Sequence, residues 1–122
     1  MTGRVLLIED EPNIAEAIRF ILSRDGWEVM VEEDGAQALP RVAELRPDLV
    51  ILDLMLPGMS GLEILSALRA DPGTSALRVM MLTAKGQGRD REAAERAGVS
   101  AFMSKPFSNA EMRAQVRSLM EG

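Results

Sequence analysis

The chain has 122 residues, 47% hydrophobic and 27% charged, which suits one globular domain with a single core and no disordered tract. Its net charge of −5 argues against unspecific attraction to nucleic acid or an anionic membrane, and no apolar run approaches a membrane span. Without Cys there are no disulfides, thiolate metal sites or Cys catalysis, and without His there are no His triads, imidazole metal sites or phosphohistidine chemistry within the chain.

Val5-Leu6-Leu7-Ile8 is an unalternating apolar run, the pattern of a strand covered on both faces, and it ends in Glu9-Asp10-Glu11. Those acids come too early for a signal peptide, and a Cys-free chain without one fits the cytoplasm. Pro12 then opens a helix where its missing N–H costs nothing. Ile14, Ala17, Ile18, Ile21 and Leu22 form its inner stripe, and Asp25-Gly26 stops it. Val29-Met30-Val31 is a shorter strand. The next helix carries Ala38, Leu39, Val42 and Leu45, and Pro40 inside it demands either a late start or a kink.

Pro47 closes that segment, and Leu49-Val50-Ile51-Leu52 is a third buried strand that delivers Asp53 into a loop containing Pro57, Gly58 and Gly61. Leu62, Leu65 and Leu68 mark a helix ended by Asp71-Pro72-Gly73. Val79 to Leu82 is a fourth strand, running into Thr83-Ala84-Lys85-Gly86. The polar segment from Gly88 to Arg96 turns mainly Ala93, Ala94 and Ala97 inward, so it buries little area and is weakly held. Val99 to Met103 reads as a fifth strand ending in Ser104-Lys105-Pro106-Phe107. Asn109 is the expected N-cap of a last helix with Met112, Val116 and Leu119 inward.

Five strands alternate with five helices, with no linker or internal repeat. Such alternation implies right-handed βαβ crossovers and a doubly wound parallel sheet, with the strand order left open. Glu9, Asp10, Asp53, Thr83 and Lys105 each follow a strand, so they meet at the carboxyl edge, where open α/β sheets bind ligands. A lone acid after a strand reads as a turn residue. Three acids, one hydroxyl and one ammonium at one edge form a site. Oxygen ligands without His or Cys suit Mg²⁺ or a similar hard cation. An Asp beside such an ion can attack a phosphoryl group and become an aspartyl phosphate.

The order Glu9-Asp10, Asp53-x-x-x-Pro57-Gly58-x-x-Gly61, Thr83-Ala84, Lys105-Pro106-Phe107 resembles the receiver domain of bacterial two-component response regulators, and the resemblance covers the whole chain, residues 1–122. It implies a flavodoxin-like sheet of order 2-1-3-4-5, an order already known for a chemotaxis receiver. By the same resemblance Asp53 is the phosphoacceptor, charged by a histidine kinase or a histidine phosphotransfer protein. Asp10, Asp53 and the Met55 carbonyl would ligate Mg²⁺, with Glu9 acting through water. Lys105 and Thr83 would contact the phosphoryl group, the Lys105–Pro106 bond would be cis, and Phe102 would be the switch aromatic that follows Thr83. Like other members, the protein would take part in its own phosphorylation and dephosphorylation without being an enzyme in the ordinary sense. The segment from Gly86 to Ala97 and Phe102 would redistribute on activation. Its output partner would then bind the face of helix 4, strand 5 and helix 5, where Arg89, Arg91, Arg96 and Arg113 offer charge. No direct nucleic-acid or membrane contact is expected.

Several positions depart from the family pattern. Phe102 lacks a hydroxyl, so a hydrogen-bonded outward state is not open to it. Met55 and Lys85 are not an acid–amide pair, which disfavours assisted phosphatase chemistry. Ser100 and Ala101 stand where acids mark a salt-bridged dimer through that face, which leaves a monomer or a weak phosphorylation-dependent dimer. Three further readings compete with the switch: a degenerate interaction module without phosphorylation, against which the intact site argues; an Asp-nucleophile phosphatase, which lacks its second acid because Met55 stands there; and a flavin-binding α/β protein, which lacks aromatic stacking near the site. The Met1-Thr2-Gly3 start reads as a native N-terminus, and Gly122 leaves a stand-alone receiver and a piece of a longer regulator both open.

Overall fold

A computed structural model describes residues 3–84 and 88–121. Strand β1 (Arg4–Ile8) leads to α1 (Pro12–Arg24) and β2 (Glu28–Glu32). A 3₁₀ turn (Gly35–Gln37) precedes α2 (Ala38–Leu45) and β3 (Leu49–Asp53). Then come α3 (Gly61–Ala70), β4 (Arg78–Ala84), α4 (Gly88–Arg96), β5 (Ala101–Lys105) and α5 (Asn109–Glu121). All strand pairs are parallel, in the order β2-β1-β3-β4-β5. This is the flavodoxin-like arrangement.

The sheet has two covered faces, and the two-residue period of a strand divides them. Val5, Leu7, Leu49, Ile51, Met80 and Leu82 face α1 and α5, while Leu6, Ile8, Val50, Leu52, Val79 and Met81 face α2, α3 and α4. The register keeps each set together: Leu7 lies opposite Ile51, which lies opposite Met80. At about 25 cal/mol per Å² of apolar surface removed from water, these buried runs dominate the fold's stability.

Local sequence accounts for the element ends. Pro12 occupies the first turn of α1. Pro40 is the third residue of α2, where no intrahelical partner is required of its nitrogen, so the helix starts late instead of kinking. Arg46 closes α2 in the left-handed region at φ 47. Ser60 and Glu63 form a reciprocal capping box at α3.

Three expectations need correction. Ala15, not Ala17, is buried on α1, because the stripe runs through Ile14, Ile18, Ile21 and Leu22. Strand β5 begins at Ala101, two residues later than Val99, because Gly98 at φ 92 and the Val99 N–H to Ala94 carbonyl bond still belong to the end of α4. Asn109 is the first residue of α5 rather than its cap. Ser108 fills that role through its hydroxyl and the Glu111 carboxylate, a second reciprocal pair.

Candidate functional site

At the carboxyl edge, the strand ends bring five sequence-marked side chains to one place. Glu9 follows β1 and is 1% exposed, Asp53 ends β3 at 4%, and Thr83 is the next-to-last residue of β4 at 2%. Asp10 and Lys105 are half-buried beside them. One carboxylate oxygen each from Glu9, Asp10 and Asp53 falls within 4.8 Å of the others. The Lys105 ammonium donates to Asp53 Oδ2 at 2.6 Å and lies 3.1 Å from Glu9 Oε1 and 3.7 Å from Glu11 Oε1. The Lys105–Pro106 peptide bond is cis.

Backbone groups hold the acids in turn. Met55 N–H donates to Asp53 Oδ1 at 3.1 Å, and Glu11 N–H donates to Glu9 Oε2 at 3.2 Å. Thr83 Oγ1 donates to the Ala84 carbonyl at 3.3 Å. Glu9 Oε1 is buried, and the ammonium 3.1 Å away stands off the hydrogen-bond line, so that oxygen has an ion-pair neighbour but no hydrogen bond. Burial, then the neighbouring Asp53 carboxylate, pushes the Glu9 carboxyl up to about 7. Burial pulls the Lys105 ammonium down, but Asp53 and then Glu9 outweigh it and leave it above its ordinary value.

Met55 is 70% exposed, so its side chain takes no part in the core. Phe102 is half-buried against the cluster that contains Ala94, with the Arg91 guanidinium 5.4 Å from its ring centre. Arg113, expected on the face of α4, β5 and α5, belongs elsewhere. It binds Asp25 through Nε at 3.1 Å and Nη2 at 2.9 Å, on the side where α5 packs against α1. Lys85 and Gly86 lie outside the described residues.

Sequence reasoning passed over Glu11, which joins the ammonium's neighbours, and Glu32, whose carbonyl accepts the Glu9 N–H at 3.0 Å. Glu11 stands in the same acidic run as Glu9 and was legible there. Glu32 becomes visible only once β2 pairs with β1.

A family model described as the response regulator receiver domain matches residues 5–117. The DNA-binding response regulator MtrA of Mycolicibacterium smegmatis is 43% identical over 118 residues, covering 97% of this chain and 50% of that protein. The phosphate regulon transcriptional regulatory protein PhoB of Klebsiella pneumoniae is 38% identical over 120 residues, covering 98% and 52%. The chain thus spans about half the length of these curated relatives. Among solved structures, a putative response regulator from Chloroflexus aurantiacus superposes with a TM-score of 0.95 at 30% identity, covering 100% of both chains. The BeF3-activated N-terminal receiver domain of Klebsiella pneumoniae RstA does so at 0.91 and 28%, covering 98% of this chain and 100% of that one.

Proposed function

The chain belongs to the response regulator receiver domains, and from that premise we propose that it is a phosphorylation-controlled signalling switch whose phosphoacceptor is Asp53. The single observation that carries this reading is a buried carboxylate at a strand end, hydrogen-bonded to an ammonium at 2.6 Å and crowded by two further acids. Structural capping needs no such gathering. The donor is a histidine kinase or a histidine phosphotransfer protein, since this chain has no His of its own.

An Asp53 oxygen attacks phosphorus while the donor's P–N bond breaks, and the imidazole nitrogen leaves with the electron pair. Lys105 then exchanges its contact with Asp53 Oδ2 for a phosphoryl oxygen, and Thr83 donates its hydroxyl to another. Water attack on phosphorus later releases inorganic phosphate and restores the carboxylate. Autodephosphorylation is therefore a property of the switch and not a catalytic cycle on an outside substrate.

The donor set fits Mg²⁺: only oxygens are present, and the buried Glu9 Oε1 lacks a hydrogen bond. Asp10, Asp53 and the Met55 carbonyl would hold the ion, with Glu9 acting through water. When bound, the ion offsets the charge of the acids and of the incoming phosphoryl oxygens. Phe102 serves as the switch aromatic, and the face of α4, β5 and α5 carries the signal to a protein partner or output domain, with the chain a monomer or a weak phosphorylation-dependent dimer. At net charge −5 the receiver residues themselves are not assigned to nucleic acid, and among the described residues no helix is long and apolar enough to cross a membrane.

Incubation with acetyl phosphate and MgCl₂, read by intact mass and peptide mapping, tests the assignment. One phosphoryl group on Asp53, absent in Asp53→Asn, is the expected result. An unmodified wild-type chain, or a label elsewhere that survives Asp53→Asn, refutes it.

A further inference from the structure

On the functional reading above, the loop between β3 and α3 carries the Met55 carbonyl that would join Asp53 in holding the ion. Its ends are tied down locally: Met55 N–H to Asp53 Oδ1 at 3.1 Å, and Gly61 N–H to the Leu54 carbonyl at 3.0 Å. Its middle rests on a different part of the chain. The Pro57 carbonyl accepts the N–H of Gly35 at 3.0 Å, from the turn between β2 and α2. The two turns meet backbone to backbone. A Cβ at Gly35 would overlap the Met59 carbonyl oxygen and stand 2.8 Å from that of Pro57. Reciprocally, Gly58 adopts φ +84, and a Cβ there would come within 2.6 Å of Asp34 Oδ1.

The supporting turn is itself braced. Asp34 Oδ1 accepts the Ala36 N–H at 2.9 Å, Glu32 Oε2 accepts the Asp34 N–H at 3.0 Å, and Arg41 Nε lies 3.4 Å from Glu32 Oε1. Glu32 also receives the Glu9 N–H on its carbonyl at 3.0 Å. One short segment therefore touches the backbone of both halves of the site, the acid pair after β1 and the loop after Asp53.

We infer that Gly35 and the Asp34 cap that orients it are positioning residues of the phosphorylation site, setting the spacing between Glu9–Asp10 and the Met55 carbonyl. The inference rests on the functional reading above. Groups that hydrogen-bond a metal's ligands typically change its affinity by roughly 10–100-fold when altered, and Gly35 acts one step further out, through the Pro57 carbonyl of the loop that carries Met55.

Titration of MgCl₂ into the full chain by calorimetry, with the initial rate of acetyl phosphate labelling and amide exchange at Gly35, provides the test. Asp34→Ala and Asp34→Asn lose the same charge, but only Asn retains the side-chain acceptor for Ala36 N–H. Asp34→Ala is expected to raise the Mg²⁺ Kd about tenfold, slow labelling and speed Gly35 exchange, while Asp34→Asn stays close to wild type. Gly35→Ala should weaken Mg²⁺ at least as much as Asp34→Ala. If it fails to fold, the Asp34 pair decides alone. Equal weakening in both Asp34 variants would reduce the effect to charge, and unchanged affinity in both would leave no positioning role. Either result overturns the inference. A wild-type chain that binds no Mg²⁺ and takes no label overturns the functional reading and the inference with it.

Discussion

At Asp53, charge and hydrogen bonding pull in opposite directions. Its carboxylate accepts from Lys105 and Met55, yet it shares its pocket with Glu9 and Asp10. Once Glu9 is ionised, above about pH 7, one ammonium cannot balance three carboxylates in a partly desolvated pocket, so repulsion there outweighs the ion pair when no cation is bound. Asn in place of Asp53 keeps an acceptor for Met55 N–H and removes the charge. In EDTA above that pH, Asp53→Asn should therefore be more stable than wild type by about 1 kcal/mol, while it can no longer be phosphorylated. Urea melts read the sign, and a less stable variant would make Asp53 a structural acceptor instead. Glu9 provides a second residue-level prediction. With its carboxyl raised from 4.5 to about 7 in the fold, the folded state binds the extra proton. The stability this contributes is full below pH 4.5 and is lost as pH rises through about 7. Melts in a chelator should show that decline for wild type, relative to Glu9→Gln, across this window. Parallel pH profiles for the two proteins would mean that Glu9 titrates normally.

Among the helices, α4 differs from the rest in how it is held. It buries only Ala94 completely, whereas α1 buries Ala15, Ile18, Ile21 and Leu22 and is tied to α5 through Asp25, Arg113 and Arg117. Little apolar area means a small opening free energy, and segments of that kind are the ones switches move. Phe102 packs on the same side of the sheet, under Arg91, so a shift of α4 changes its surroundings directly. Beryllofluoride with Mg²⁺ should alter amide exchange across residues 88–97 and at Phe102 and leave α1 unchanged. Protection changes confined to α1, or absent from residues 88–102, would remove α4 from the readout.

For the whole molecule, parallel strands separate a chemical edge from a structural one. All five strands point their carboxyl ends toward the acids. Trp27 sits before β2 at the other end, buried beside Gly3, with the Glu28 N–H bonded to the Gly3 carbonyl. Its fluorescence should hardly change on Mg²⁺ binding or phosphorylation, and strong quenching by Mg²⁺ would contradict this placement. Ligand linkage should act on the entire fold nonetheless. At Mg²⁺ tenfold above its Kd, unfolding should cost about 1.4 kcal/mol more, an effect that Asp53→Asn should largely lose.

Much of this architecture was determined by the sequence alone. The short unalternating runs at Val5, Leu49 and Val79, bounded by acids, Gly and Pro, read as strands covered on both faces, and side chains at the carboxyl ends of parallel strands share one edge of the sheet, as Glu9, Asp53, Thr83 and Lys105 do. Those are local patterns with a fixed geometric consequence. Element ends were less legible where side-chain and backbone chemistry compete over one or two residues, as with Ser108 against Asn109 or the late start of β5. Tertiary structure alone decided that Arg113 faces Asp25, that Glu32 braces the turn beside Glu9, and that Gly35 carries the loop after Asp53. These contacts join residues far apart in sequence, and they exist only because β2 pairs with β1 and α5 packs on α1.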